Sequence, residues 1–136
     1  MATNAPSTSL CAGAGSFGAG LLEAAAQAVV EMRPVLLIAY DLPYPEPLRA
    51  LWSIPESFAV AILLGPDESR SSRPRVRIGL GGGKPDDAWL PGLPRDLARN
   101  PAALALPFLA QIARGGDGRL VLPYLDRCSI ELEVTA

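Results

Sequence analysis

With 136 residues, 49% hydrophobic and 19% charged, the chain is long enough for one domain with a real core, too short for two ordinary ones and too apolar for disorder. A formal net charge of −2 gives no basic footprint for nucleic acid, and no apolar run reaches the roughly 18 residues of a membrane span, so neither nucleic-acid binding nor membrane spanning is expected. Histidine is absent, which removes the commonest general base and metal ligand and every Ser-His or Cys-His triad that could be assembled within the chain.

The opening MATNAPSTSL lacks the basic start and apolar stretch of an export signal, so a cytoplasmic location is expected. Cys11 and Cys128 lie far apart and outside any C-x-x-C pair, which predicts reduced thiols, with no disulfide framework and no zinc site. The stretch SLCAGAGSFGAG follows, with a literal G-x-G-x-x-G at Gly13, Gly15 and Gly18. Over residues 17–32, Phe17, Leu21, Ala25, Ala28 and Met32 recur at helical spacing. Glu23, Gln27 and Glu31 form one narrow polar stripe, so the helix is expected to be enclosed on most sides.

After Pro34, VLLIAYD is a continuous apolar run, the pattern of a strand buried on both faces. Four prolines in LPYPEPLRALWSIP argue against a crossover helix and for an ordered or semi-extended loop, with one turn around residues 48–52. Residues 57–65, SFAVAILLG, read as a second buried strand, and GPDESRSSRP as an exposed turn. PRVRIGLG, residues 74–81, alternates Arg75 and Arg77 with Val76 and Ile78, as a half-exposed or edge strand does. Residues 81–94 read as loop. Asn100-Pro101 is a cap followed by proline at the first helical position. A helix is predicted over residues 102–113, ended by Gly115-Gly116 and kinked or divided at Pro107. RLVLPYL and CSIELEV close the chain as two strands, the second alternating Ile130, Leu132 and Val134 with Glu131 and Glu133.

Three motifs invite chemistry. A dinucleotide site through Gly13, Gly15 and Gly18 would need a buried strand before the glycines, a helix after them and an acid about 20 residues on. Asp41 and the helix satisfy two of these, but NAPSTSLCA has little apolar continuity. GLGGGKP lacks the first glycine and the hydroxyl of a phosphate loop, with Ile78 and Pro85 at those positions, and reads as a glycine turn. Cys11 stands near a helix N-terminus, where a thiol can act as a nucleophile, but it is also a residue type that often packs as a small hydrophobe. Pro43, Pro45 and Pro47 need no partner to explain them, and Asp41, Asp86 and Asp87 read as solvated turn residues.

The string NAPSTSLCAGAGSFGAGLLEAAAQAVVEMRPVLLIAYDLPYPEPL, together with PFLAQIARGGDGRLVLP and CSIELEV, resembles the ketosynthase-like N-terminal domain of bacterial proteins described as β-ketoacyl synthase chain length factors. Those proteins occur with aryl polyene and fatty-acid-type synthesis. The likeness covers essentially the whole chain. It implies an α/β, partial thiolase-like (ketosynthase-like) layered fold with a mixed sheet and a buried Ala-rich helix, in one domain over residues 1–136. It further implies a strand over residues 7–12 that leads through a sharp turn into the helix and lies at a subunit interface.

In active condensing enzymes of that kind the nucleophilic cysteine stands at this turn. Here the position falls on Ala14, or with a one-residue shift on Gly15, and Cys11 lies three residues too early. The two decarboxylating histidines of active ketosynthases come from a later half. The resemblance therefore implies a non-catalytic chain length factor type protein of fatty-acid, polyketide or aryl polyene biosynthesis. It would pair with an active ketosynthase subunit, with an acyl carrier protein as a second candidate partner, and with no cofactor and no metal. Met1-Ala2-Thr3 stands where the family has an internal Ile-Ala-Thr, so the domain's first strands and helices are expected to be missing. That would leave apolar surface and unpaired strand edges on residues 35–41 and 57–65. Two other readings stay open: a small acyltransferase using Cys11, and a nucleotide-binding module through Gly13, Gly15 and Gly18.

Overall fold

The computed structural model describes residues 6–66, 73–86 and 92–136. A single 3-10 turn, Gly13–Gly15, runs directly into helix α1, Ser16–Val30. The helix ends where Met32 takes a left-handed φ of 49° and the Arg33 N–H reaches back to Ala28 O at 3.3 Å. That six-residue closure caps helices elsewhere, usually with glycine at the left-handed position. Pro34 prevents continuation, and the chain enters β1, Val35–Asp41.

The proline-rich connection holds one helical turn, α2, Leu48–Leu51, before β2, Phe58–Leu64. With no crossover helix, the chain can only reverse, so β1 and β2 pair antiparallel from Val35 against Leu64 to Asp41 against Phe58. Strand β3, Arg75–Gly81, pairs with β5, Cys128–Thr135, which also pairs with β4, Gly118–Leu125, giving the order β3-β5-β4. Every ladder among the described residues is antiparallel. The expected mixed sheet is thus replaced by two separate antiparallel sheets: the proline-rich link folds β2 back on β1, and β5 follows β4 through a tight turn and lies between β4 and β3, which run in the same direction on either side of it.

Helix α1 touches strands of both sheets. Its Phe17 and Leu21 join Ala105 and Phe108 of α3, Ala105–Arg114, and Leu122, Ile130, Leu132 and Val134 of the three-stranded sheet in one core. The Phe17 and Phe108 rings lie 6.4 Å apart at 45°, a tilted arrangement that aromatic quadrupoles favour. Leu37, Ala39, Val60, Ile62 and Leu64 close the core from the two-stranded sheet. The helix is buried along Phe17, Gly18, Ala19, Leu21, Ala24 and Ala28, as its alanines suggest. Its last turn is not enclosed, since Val29, Val30 and Met32 are exposed.

Strands β1 and β2 were expected to be covered on both faces, and the structure covers one. Their burial alternates along all seven residues, leaving Leu36, Ile38, Tyr40 and Leu63 exposed. The helical segment near the C-terminus is divided as expected, but upstream of Pro107. A 3-10 turn, Pro101–Leu104, gives way to α3 at Ala105, which leaves Pro107 in the first helical turn, where a missing N–H costs little. Gly115 and Gly116, at φ 70° and 78°, end α3. No helix among the described residues is long and apolar enough to cross a membrane.

Candidate functional site at the turn before helix α1

The turn is closed by its own polar atoms. The Ser16 hydroxyl donates to Gly13 O at 2.7 Å and accepts from the Ala12 N–H at 2.9 Å, while the Gly15 N–H donates to Ala12 O at 3.1 Å. Gly13 supplies the left-handed φ of 55° that starts the turn. The two candidate nucleophile positions differ sharply in surroundings. Ala14 is exposed, whereas Gly15 is buried with its α-carbon against β4, where an added Cβ would stand 2.6 Å from Tyr124 O. Only the Ala14 position has room for a side chain.

Residues 6–12 form no strand and are exposed or half-buried, so the strand expected to lead into the turn is absent among the described residues. That segment contains only Leu10 and Cys11 as apolar side chains of any size, too few to hold it against a sheet. Cys11 is exposed in this extended approach. The indole of Trp52, from the loop after α2, covers Gly13, with ring atoms 3.5 and 3.8 Å from where a Cβ would be. Leu10, Leu48, Leu51 and Trp52 are exposed.

Close packing gives the other glycines of the motif a structural duty. An added Cβ at Gly18 would meet Ile130 Cδ1 at 3.1 Å and Pro123 O at 3.2 Å, so Gly15 and Gly18 seat α1 against β4 and form no open cradle. The acid that should bind a ribose is engaged elsewhere: Asp41 Oδ2 accepts from the Ala102 N–H at 3.0 Å. Burial raises the Asp41 pKa above its ordinary value, and the Ala102 N–H offsets part of that rise. In GLGGGKP, the Glu131 carboxylate, itself paired with Arg119, lies against Gly83, which would repel a phosphate.

Two aspartates read as solvated turn residues have structural duties instead. Asp41 ties the end of β1 to the turn before α3. Asp86 accepts from the Val121 N–H at 2.7 Å and donates its own N–H to Val121 O at 3.0 Å, extending the edge of β4. Asp87 lies outside the described residues. Asn100, read as a cap, accepts from the Ala102 and Ala103 N–H groups as expected. It also donates to Asp41 O and Glu56 O, contacts 59 and 44 residues away that no local pattern could signal. No group of three or more Cys, Asp or Glu among the described residues is placed to hold a metal. Two surface depressions, one lined by Tyr40, Leu42, Ser57, Phe58 and Ala59 and one by Pro74, Ile112, Gly115, Gly116, Val134 and Ala136, include no residue of the turn.

The family described as Beta-ketoacyl synthase, N-terminal domain, matches residues 1–79, a span that holds the turn, α1, β1, β2 and most of β3. No curated protein and no solved structure matches the chain.

Proposed function

The chain belongs to the β-ketoacyl synthase N-terminal domain family, and we propose on that premise that it is a non-catalytic member of chain length factor type. In this reading it pairs with an active ketosynthase subunit in fatty-acid, polyketide or aryl polyene biosynthesis, and contributes a wall to the pocket that holds a growing acyl chain. The observation that carries the reading is the turn itself. Its one position with room for a side chain, Ala14, holds only a methyl group, and Gly15 is pressed against Tyr124 O. No histidine exists in the chain to serve as base.

The surface beside the turn supports a partner there. Leu10 is 47% and Trp52 54% exposed, and aromatic and aliphatic side chains of this kind supply the apolar core of protein interfaces. Co-expression of the tagged chain with an active β-ketoacyl synthase subunit tests the reading. A stoichiometric complex that Leu10→Asp and Trp52→Ala weaken is expected, and its absence overturns the pairing.

The enzymatic alternative, acyl transfer through Cys11, has the exposure of that thiol in its favour. Incubation with a mass-tagged acyl thioester and mapping of the adduct decides it, and an unlabelled Cys11 ends it.

A further inference from the structure

One backbone donor serves two acceptors at the start of the Pro101–Leu104 turn. The Ala102 nitrogen lies 2.9 Å from Asn100 Oδ1 and 3.0 Å from Asp41 Oδ2. A hydrogen bond weakens steeply once its angle falls below about 120°, so two oxygens that share one N–H at these lengths stand within about 4 Å of each other. An ionised carboxylate only accepts, and here it faces a carboxamide oxygen with a single proton between them. Protonation of Asp41 balances the count. The acid O–H donates to Asn100 Oδ1, the other carboxyl oxygen keeps the Ala102 N–H, and Asn100 Oδ1 keeps the Ala103 N–H, which lies at 3.3 Å.

Asn100 carries this change toward the turn before α1. Its side chain is fully buried and donates to Glu56 O at 2.8 Å. Two residues before Glu56, Ile54 is 1% exposed, and two before that the Trp52 indole covers Gly13. Residues 52–56 are therefore pinned at three points, of which Asn100 is one. The Pro101–Leu104 turn also touches the Gly13–Gly15 turn directly. A contiguous packed network of this kind can carry a change from one end to the other.

The titratable and charged groups on the segments around Asp41 are Tyr40 beside it on β1, Glu56 before β2, Glu23 and Glu31 of the α1 segment, and Arg95, Asp96 and Arg99 of the 3-10 turn Arg95–Arg99, all exposed. The Asp41 carboxyl responds first to burial and second to the Ala102 N–H, so the joint itself governs its protonation. With histidine absent, a carboxyl whose pKa burial has raised is the kind of group left to sense mild acid.

We infer that Asp41 and Asn100 form a proton-sensitive latch, which closes when Asp41 is protonated and holds Trp52 firmly over the turn before α1, and which loosens when Asp41 ionises. The inference concerns the chain by itself and does not depend on any partner.

Amide hydrogen exchange and acrylamide quenching of Trp52 test it on the whole chain between roughly pH 4 and pH 7, the quenching in a Trp89→Phe background that leaves Trp52 as the one tryptophan. As pH rises, protection factors at Ala102 and Ala103 should fall by about threefold or more, and Trp52 should become more accessible to acrylamide. Asp41→Asn supplies a carboxamide that can donate to Asn100 Oδ1 at every pH, so both readings should stay at the parent's acidic values. Glu56→Gln removes an exposed carboxylate near the joint and should leave the parent's profile intact. Protection that ignores pH in the parent, or that follows pH equally in Asp41→Asn, would overturn the latch. A profile abolished by Glu56→Gln would place the response on another carboxyl and overturn it too. Exchange that follows pH while Trp52 does not would break the link to the turn, and the inference with it.

Discussion

Asn100 and Asp41 converge on a single backbone group: the Ala102 N–H lies 2.9 Å from Asn100 Oδ1 and 3.0 Å from Asp41 Oδ2. Asn100 is fully buried, and its amide nitrogen donates to Asp41 O at 3.3 Å and Glu56 O at 2.8 Å. One side chain thus joins the end of β1, the approach to β2 and the start of the helical segment that carries Phe108 into the core. The turn before α1 touches the Pro101–Leu104 turn that Asn100 caps, as well as β4, so Asn100 bears on its surroundings from far away in sequence.

Asn100→Ala removes two acceptor and two donor contacts and leaves two carbonyls short of a partner. Each lost neutral hydrogen bond is worth about 1 kcal/mol and each stranded polar group more, so a loss of about 3 kcal/mol is expected. Urea unfolding measures it. Asn100→Asp keeps the acceptor oxygen, loses both donated bonds and brings a second carboxylate beside Asp41, so it should cost at least as much. A change below about 1 kcal/mol in both variants would show that solvent replaces these contacts.

Asp41 makes stability depend on pH in an unusual direction for a carboxylate. Its folded pKa is raised, chiefly by burial, so the folded state binds its proton more tightly than the unfolded state does. The contribution is most favourable below the unfolded pKa and is lost as pH rises through the folded pKa. Asp41→Asn keeps an oxygen for the Ala102 N–H and never ionises. The variant should therefore gain on the parent between acidic and neutral pH, and the two should converge in acid. Unfolding midpoints of both proteins across that range check the sign, and a parent that gains relative to Asp41→Asn toward neutral pH would reverse it.

What the sequence makes legible here is whatever depends on neighbours in the chain. The seven-residue span of β1, β3 to within one residue at its start, the cap at Asn100, the stop at Gly115-Gly116 and the first turns of α1 follow from periodicity and from the restricted geometry of proline and glycine. The family, too, is visible in the string around the turn. Other features depend on which surfaces meet. An apolar run such as VLLIAYD looks the same whether one face or two is covered. No local signal separates an aspartate in water from one that accepts from Ala102, 61 residues on. Gly15 carries its reason in Tyr124, which lies in a strand that the sequence cannot place beside it.

Glycines in this chain should respond to alanine according to what their Cβ meets. At Gly15 the added atom stands 2.6 Å from Tyr124 O, backbone that cannot give way without moving β4. Overpacking of this kind costs about 1–3 kcal/mol. Gly65 meets nothing within 4 Å and lies outside the left-handed region, so Gly65→Ala should be neutral or stabilise by up to about 1 kcal/mol through the unfolded state. Thermal unfolding of the pair reads the contrast, and equal effects would mean that α1 does not press on β4 in solution.

Ala14→Cys asks what a nucleophile at the turn would accomplish. Ala14 is exposed, so stability should change by no more than about 0.5 kcal/mol. In a Cys11→Ser background, the new thiol should take up iodoacetamide readily and accept an acyl group slowly from an acyl thioester. Condensation should not follow, because no histidine is available within the chain to move a proton or to stabilise the developing anion. Mass spectrometry separates the two steps, reporting the acyl adduct on the protein and any elongated product released. An adduct without product agrees with a subunit whose turn keeps its shape and has lost its chemistry. An elongated product from the isolated variant would mean that groups other than histidine complete the site, and the non-catalytic reading would fall.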